Sequence, residues 1–436
     1  MSPAGSSLSS PTPTASTETR SGVRARSRTA RPLLVIGGIL LVVSAVRVFV
    51  GGGDDLTSSG TTRTAITITV PILLAGLGGL LSERSGVVNI GLEGMMILGT
   101  WFGAWGGYRF GPWWGVALAA IGGGFGGLLH AVAVVHFNVD HIVSGVAINL
   151  LAPGIARYLA NEVFTPVGGG ATQSPDVGAD TGVMSMPFLA GGDLFGWTTP
   201  DPLLWIEDKG WYLVSDVAGL VGGAMRDIPW LAVVAYAFVP IIGFVLWRTR
   251  IGLRLRSSGE NPGGAESLGV NVYRMRYLAV IASGALAGTG GAMLVIENAS
   301  IYRENQTGGR GFIGLAAMLF GSYRPVGTMG GSLLFGYVDG LQRRSPETVH
   351  AALLLIAALA IAGLVVGVVR RRPQLASMSA ITAGVAVWYW ATSEEVASDL
   401  VFVAPYAVTL VVLAIKSQRV RPPAADGQPY RRGDDR

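Results

Sequence analysis

Long apolar segments separated by short polar clusters dominate this chain from residue 33 onwards. They recur at 33–50, 65–81, 87–107, 113–136, 142–161, 230–247, 277–297, 351–369, 377–392 and 400–416. A helix needs roughly 20 predominantly apolar residues to cross the hydrocarbon core of a bilayer. The pattern therefore predicts an all-α integral membrane protein, a polytopic helical bundle with about 10–12 transmembrane segments.

Two apolar segments are shorter than the others, at 311–321 and 329–341. They are separated by the polar residues Ser322–Thr328, and each is too short for a comfortable perpendicular span. Two arrangements fit this pattern: a re-entrant pair, or two short helices that meet at the inner side of the membrane. Asp339, near the end of the second segment, is a further candidate path residue or an interfacial one.

The composition supports the membrane assignment. Half of the residues are hydrophobic and only 14% are charged, whereas a soluble domain carries roughly 25% charged residues. The chain contains no cysteine, which excludes disulfides, thiol catalysis and cysteine-based metal sites.

The placement of charge predicts the orientation, because clustered arginines mark the cytoplasmic side of a membrane protein. Basic clusters lie at 20–31, 248–276, 370–372 and 416–421, while acidic residues lie at 54–55, 162–229 and 394–399. These clusters fall on alternate sides if both termini are cytoplasmic. We therefore expect a multi-pass protein with inside termini.

The same pattern divides the chain. Residues 1–31 are rich in Ser, Thr and Pro and are predicted to form a disordered cytoplasmic tail. Residues 32–416 form the membrane domain, and 417–436 form a second cytoplasmic tail. Within the domain, 162–229 is a long external loop with short amphipathic pieces, for example at 184–189, and its expected function is to dock an external partner.

Four polar residues fall inside or at the ends of apolar segments: Asn89, Glu93, Asn149 and Glu297. Asn89 and Glu93 are separated by one turn of a helix, which would place both on one face. Intramembrane carboxylates usually face a water-filled path or a protein partner. We interpret the four residues as candidates for lining a translocation path, although Glu93 near a helix end could simply reach the headgroups.

Asn149 is followed by Pro153 and Gly154, so its helix is either broken, as in many transporters, or kinked by proline.

The strongest cytoplasmic signal is the basic loop 248–276. Within it, Asn261 suits a helix N-cap, Pro262 suits the first helical position, and Gly269 can end the helix. The sequence therefore predicts a short exposed helix at about 262–268. Its alternative is a solvated basic loop with no partner.

The sequence contains none of the common catalytic or cofactor-binding motifs. There is no Walker loop for ATP, no Gly-x-Ser-x-Gly elbow, and no carboxylate cluster with metal-binding spacing. His130, His136 and His141 have no metal-binding spacing and are taken as ordinary polar residues. No enzymatic activity, cofactor, metal or nucleic-acid partner is predicted.

Several segments resemble one family. Residues 82–99, SERSGVVNIGLEGMMILG, resemble the signature of membrane permeases of bacterial ABC importers for nucleosides and simple sugars, in the branch served by basic-membrane-protein-type lipoproteins. Similar matches lie at 252–256 (GLRLR), 259–262 (GENP), 265–270 (AESLGV), 309–317 (GRGFIGLAA) and 404–410 (APYAVTL).

The resemblance implies a non-catalytic, pore-forming permease in the bacterial inner (plasma) membrane. Its implied partners are a separate ABC ATPase subunit that hydrolyses ATP, a second permease, an external solute-binding lipoprotein and membrane lipid. It also implies that the inner-loop helix docks on the ATPase as a coupling helix. The residues carried over to that helix are Glu260, Asn261, Pro262, Ala265, Glu266, Leu268 and Gly269.

The chain departs from the family pattern at 342–399, where two additional helices are expected before the final span. A rival hypothesis is a secondary transporter driven by protons through Glu93 and Glu297, with no ATPase. An exposed, capped inner helix favours the ABC permease, since a stand-alone carrier does not need one.

Overall fold

A computed structural model describes residues 37–38, 40–48, 53–178, 180–194, 196–342, 346–393 and 421–433. Six helices in these ranges are long and apolar enough to cross a membrane. The predicted all-α membrane bundle is therefore confirmed. The segments expected at 1–31 and 400–416 lie outside the described residues, as do residues 417–420 and 434–436 of the expected tail.

The helices, numbered in chain order, are α1 (Ser59–Arg84), α2 (Leu92–Phe110), α3 (Pro112–Ala131), α4 (His141–Phe164), α5 (Pro202–Asp208), α6 (Val214–Gly223), α7 (Trp230–Arg248), α8 (Arg250–Glu260), α9 (Pro262–Ser267), α10 (Val272–Ala292), α11 (Arg310–Phe320), α12 (Pro325–Gln342), α13 (Pro346–Val369) and α14 (Pro373–Thr392). Single π-helical turns, Val132–His136 and Met293–Ala299, extend α3 and α10. Short 3₁₀ turns lie at Gly53–Leu56 and Thr165–Val167.

The centre of the bundle is formed by α1, α2, α3 and α10. The helix α1 begins with Ser58, whose hydroxyl accepts the Thr61 N–H (3.2 Å), and it runs through Pro71 without interruption. The helices α3 and α10 meet along glycines: a methyl group at Gly123 would overlap the carbonyl of Gly284, and one at Gly288 would overlap that of Ala119. This glycine seam brings the two backbones into direct contact, as small residues do in membrane bundles.

The 162–229 region contains helices α5 and α6 and four short strands, β1 (Val183–Met184), β2 (Gly192–Leu194), β3 (Trp197–Thr199) and β4 (Ile228–Pro229). The strand β1 pairs antiparallel with β4, with Val183 opposite Pro229, and β2 pairs antiparallel with β3, with Gly192 opposite Thr199.

The amphipathic piece expected at 184–189 is not a helix. Met184 ends β1, and Phe188 has a positive φ of 64°, which a regular helix does not accommodate.

The two shorter apolar segments form two separate helices, α11 and α12, joined by a tight turn at 321–324. Both pack on α1. With 11 residues, α11 is only about 16 Å long, roughly half of the hydrocarbon core. The helix α12, with 18 residues, is longer than the segment 329–341 predicted. The choice between a re-entrant pair and two short helices that meet at the inner side stays a prediction. The two helices expected within 342–399 are α13 and α14.

The ends of the bundle differ in composition. We call the end that carries the turn after α1, helices α8 and α9, and residues 421–433 the basic end. The opposite end, which carries the first turn of α1 and most of the 162–229 region, is called the loop end. At the loop end, the Ser59 N–H donates to Glu207 (2.8 Å), and Arg226 forms a 2.6 Å ion pair with Asp201.

Candidate translocation and coupling sites

The segment 87–91, between α1 and α2, is a loop. The helix α2 begins only at Leu92, so the prediction that Asn89 and Glu93 share a helix face is wrong. The cause is local: Gly86 has a φ of +92°, and the side-chain oxygen Oδ1 of Asn89 accepts the Gly91 N–H (3.1 Å). Such a side-chain bond to a nearby backbone group competes with helix formation.

Two histidines hold this loop in place. One ring nitrogen of His130 lies 3.0 Å from the Val88 carbonyl oxygen, and the other lies 2.9 Å from the Ser144 hydroxyl. The Val88 N–H donates to His141 Nδ1 (3.2 Å). These histidines therefore have a structural role that their spacing alone did not reveal.

Asn89 is fully buried and links the loop to α10. Its amide nitrogen donates to the Ser283 hydroxyl (3.0 Å). Together with the bond to Gly91, this leaves the Asn89 side chain with partners from two different elements.

Glu93 closes the beginning of α11. Its two carboxyl oxygens accept the N–H groups of Gly309 (2.9 Å) and Gly311 (2.7 Å), and its side chain is almost completely buried. The first N–H groups of a helix have no intrahelical acceptor and favour an acidic partner. A Cβ atom at Gly311 would lie 2.6 Å from Glu93 Cα, so only glycine permits this approach. The alternative in which Glu93 reaches the headgroups is therefore wrong.

Asn149, on α4, binds the start of α2. Its carbonyl oxygen accepts the Gly94 N–H (2.8 Å), and its amide donates to the Ile90 carbonyl (2.9 Å). The helix α4 is continuous through Pro153, so the broken form is not observed. Asn149 thus joins Asn89 and Glu93 at 89–94, although it is 55 positions away from Gly94 in the sequence.

Glu297 does not join this cluster. It lies at the loop end, where one carboxyl oxygen accepts both the N–H (3.0 Å) and the hydroxyl (2.5 Å) of Thr181. Asp339 also has a partner, because Arg310 forms a 2.8 Å ion pair with it.

A cavity of about 10 Å³ lies beside the cluster, lined by Ile97, Thr100 and Pro153 together with residues 302–307. One water molecule requires roughly 10–15 Å³, so this cavity does not hold an organic solute in the observed conformation.

The predicted short helix of the basic loop is α9. The Asn261 side chain accepts the Gly264 N–H (2.9 Å), Pro262 occupies the first position, and Gly269 follows the helix with a φ of +79°. Ala265 is buried, whereas Leu268 is 85% exposed. Glu260 lies within 3.8 Å of Arg84, at the end of α1.

The sequence did not predict helix α8 or the contact between α9 and residues 421–433. The Glu266 side chain accepts hydrogen bonds from the Tyr430 hydroxyl and from Arg432 (3.0 Å). The hydrogen bond from Tyr430 lowers the pKa of Glu266. Neither contact follows from local pattern, because the partners are more than 160 positions apart.

The sequence profile of a family described as "Branched-chain amino acid transport system / permease component" matches residues 61–364. The match begins in α1 and ends in α13, and so includes all of the sites described above except residues 421–433.

Individual relatives are similar over most of the chain. A guanosine ABC transporter permease protein of Bacillus subtilis, NupQ, is 34% identical over 63% of this chain and 79% of its own length. A nucleoside ABC transporter permease protein of Lactococcus lactis, NupC, is 31% identical over 83% of this chain and 93% of its own. A putative glucose ABC transporter permease protein of Haloferax volcanii, TsgC13, is 33% identical over 66% of this chain and 78% of its own. No solved structure matches the chain.

Proposed function

The chain belongs to the permease-component family of branched-chain amino acid transport systems, and from this we propose that it forms one half of the path by which an ATP-driven importer moves a nucleoside or a related sugar-like solute. It is a multi-pass permease subunit of an ABC transporter. The solute class is proposed because the relatives above are named for guanosine, nucleoside and glucose transport.

The polar cluster around 89–94 is the observation that carries the proposal for the path. It puts amide and carboxyl groups inside an otherwise apolar bundle, where polar groups usually serve transport. We propose that Asn89, Glu93 and Asn149 lie beside the narrow part of the path and that Glu297 lies beside its loop-end entrance. Small movements of α4 would expose amide groups that form hydrogen bonds with hydroxyl-rich solutes.

A second permease is proposed to cover the outer face of α4. Only 28% of the apolar window of this helix is buried, compared with 78% for α1. Leu150, Leu151 and Tyr158 are exposed on α4, near Asn149. A neighbouring permease against this face would enclose Asn149 between two chains and complete the path.

The basic end is proposed to face the cytoplasm, in agreement with the arginines at 248–256. A separate ATPase subunit would then dock on α9, where the exposed Leu268 offers it an apolar contact. The loop end would face outwards and receive a solute-binding lipoprotein.

The test is uptake in proteoliposomes that contain the chain with its co-purified partners. We expect uptake of radiolabelled guanosine or another nucleoside that requires ATP and binding protein, and competition by other nucleosides. Partners with the catalytic Walker lysine of the ATPase replaced serve as the control.

Uptake that persists without ATP and is abolished by a proton uncoupler would contradict the proposal and support the proton-driven carrier. Uptake of a monosaccharide with no competition by nucleosides would keep the ABC mechanism and restrict the solute to sugars.

A further inference from the structure

Residues 421–433, which we call the tail segment, fold against the basic end. The Ala425 N–H donates to the Gly259 carbonyl at the end of α8 (2.9 Å), and the Gly427 N–H donates to the Gly86 carbonyl after α1 (3.2 Å). Ala425 is 5% exposed. Backbone hydrogen bonds to two separate elements fix the tail segment in one position.

The other part of the tail segment holds α9. The Tyr430 hydroxyl and the Arg432 guanidinium both bind Glu266, and the Tyr430 ring packs 5.6 Å from that of Tyr273. The tail segment therefore connects α9 at one of its ends to the turn before α2 at the other.

The buried side chain of Arg276 also holds the tail segment in this position. It belongs to the arginines that predict a solvated basic loop, yet it is only 2% exposed. Its Nη1 donates to the Gln428 carbonyl (3.2 Å), and its guanidinium lies 5.6 Å from the centre of the Tyr430 ring. A buried cation is costly unless it has partners, and both of these partners come from the tail segment.

The helix α9 has little other attachment. It contains six residues, of which only Ala265 is buried. A force applied to its exposed side would reach the bundle through this small side chain and through Glu266. The second route leads along the tail segment to Gly86, six residues before the start of α2 at Leu92.

We propose that the tail segment is a positioning element that transmits movement of α9 to the turn after α1, and so to the polar cluster at 89–94. This inference rests on the proposed function, because it assumes that an ATPase moves α9. The opposite role is a removable cap that blocks the docking surface. The positioning role is favoured because Asn261, Ser267 and Leu268 stay exposed while the tail segment is in place.

A reversible cross-link separates the two roles. The chain has no cysteine of its own, so Glu266→Cys combined with Tyr430→Cys places a single pair of thiols in it. Mild oxidation joins the two thiols in a disulfide, which reduction opens again. A short bifunctional thiol reagent joins them by a link that reduction does not open. The matched control is Tyr430→Cys alone, whose uptake should not depend on the redox state.

In the reduced double variant we expect nucleoside uptake to fall about three- to tenfold, the scale of a lost hydrogen bond, with more ATP hydrolysed per solute. The joined form should return to within about twofold of the unmodified chain, because the covalent bond replaces the lost contact. A merely structural role would not produce this recovery in transport per ATP.

A milder variant guards against misfolding. Tyr430→Phe keeps the ring beside Arg276 and removes only the hydroxyl, so uptake should fall about two- to fivefold with an unchanged thermal unfolding midpoint.

The inference is overturned if joining the thiols abolishes uptake, which would identify a removable cap, or if uptake is the same in all states. Failure of the bifunctional reagent to join the pair contradicts the contact itself, whereas oxidation joins the pair only where the two Cα atoms lie within about 7 Å of each other. Failure of the unmodified chain to take up any solute would overturn the proposed function, and this inference with it.

Discussion

Glu93 and Glu266 are both acidic residues that bind a second segment of the chain, but they do so in different ways. Glu93 is 7% exposed and accepts two backbone N–H groups at the beginning of α11. Glu266 lies on the small exposed helix α9 and binds two side chains of the tail segment. The first contact holds two buried backbones at a fixed separation, whereas the second is made by flexible side chains at the surface.

The difference separates a rigid contact inside the bundle from an adjustable contact at its surface. A buried backbone N–H that loses its acceptor strongly destabilises the folded protein, so the Glu93 contact is expected to persist through the transport cycle. Side-chain contacts near water change at a small net cost, because water replaces the lost partner. Contacts of the second kind suit a junction that must move with a partner protein.

The largest effect is expected for Glu93→Ala. It leaves the N–H groups of Gly309 and Gly311 without acceptors, at about 1–3 kcal/mol each. Glu93→Gln should be intermediate, because its amide oxygen replaces only one of the two acceptors. Thermal unfolding in detergent and uptake at equal expression measure both effects. If Glu93→Ala and Glu93→Gln lower the unfolding midpoint and the uptake equally, the contrast between Glu93 and Glu266 does not hold.

The next effect tests whether the rigid site extends to α4. Asn149→Ala removes the acceptor of the Gly94 N–H and should destabilise the chain by about 1–2 kcal/mol, with reduced uptake. For the unfolding midpoint of the isolated chain, Leu150→Ala is the matched control, because its exposed side chain lies at the next position of the same helix. An unchanged unfolding midpoint for Asn149→Ala would restrict the rigid site to α2 and α11.

Much of this could be predicted from sequence, for identifiable reasons. Long apolar runs predict the membrane-spanning helices, and the pair Asn261 and Pro262 predicts α9, because these signals act within a few residues. The carboxyl group of Glu93 was recognised as buried and polar, but its partners lie more than 200 positions away. Asn89 was misplaced because an Asn with glycines nearby favours a local turn over a continued helix.

A smaller effect is expected on the adjustable side of the comparison. Asn261→Ala removes the side-chain acceptor for the Gly264 N–H and should weaken α9 by about 1 kcal/mol. Uptake should fall while the global unfolding midpoint stays constant, because α9 is an exposed helix of six residues. Asn261→Ser should retain most of the uptake, and a loss equal to that of the alanine variant would argue against capping as the cause.

The smallest effect concerns pH. Burial raises the pKa of the Asp426 carboxyl group from 3.8 to about 7. The neighbouring side chains of Glu83, Arg276 and Arg84 lower this pKa by smaller amounts. Since the seated carboxyl binds its proton more tightly than the free one, attachment of the tail segment is favoured at low pH. This contribution is complete below about pH 4 and is lost as the pH rises to about 7.

Hydrogen exchange at Ala425 and Gly427 measures this attachment, and protection should be greater at pH 5.5 than at pH 7.5. Asp426→Asn should abolish the difference beyond the intrinsic change in exchange rate. A difference that survives in this variant would assign the pH dependence to another group.

The glycine seam between α3 and α10 has a mechanical consequence. Where two backbones touch without side chains between them, a shift of either helix along the other would drive carbonyl groups into Cα atoms. The two helices therefore form a fixed frame and cannot slide along each other. We expect that any alternation between two openings is carried by rocking of the less embedded helices, such as α4 and α7, against this frame.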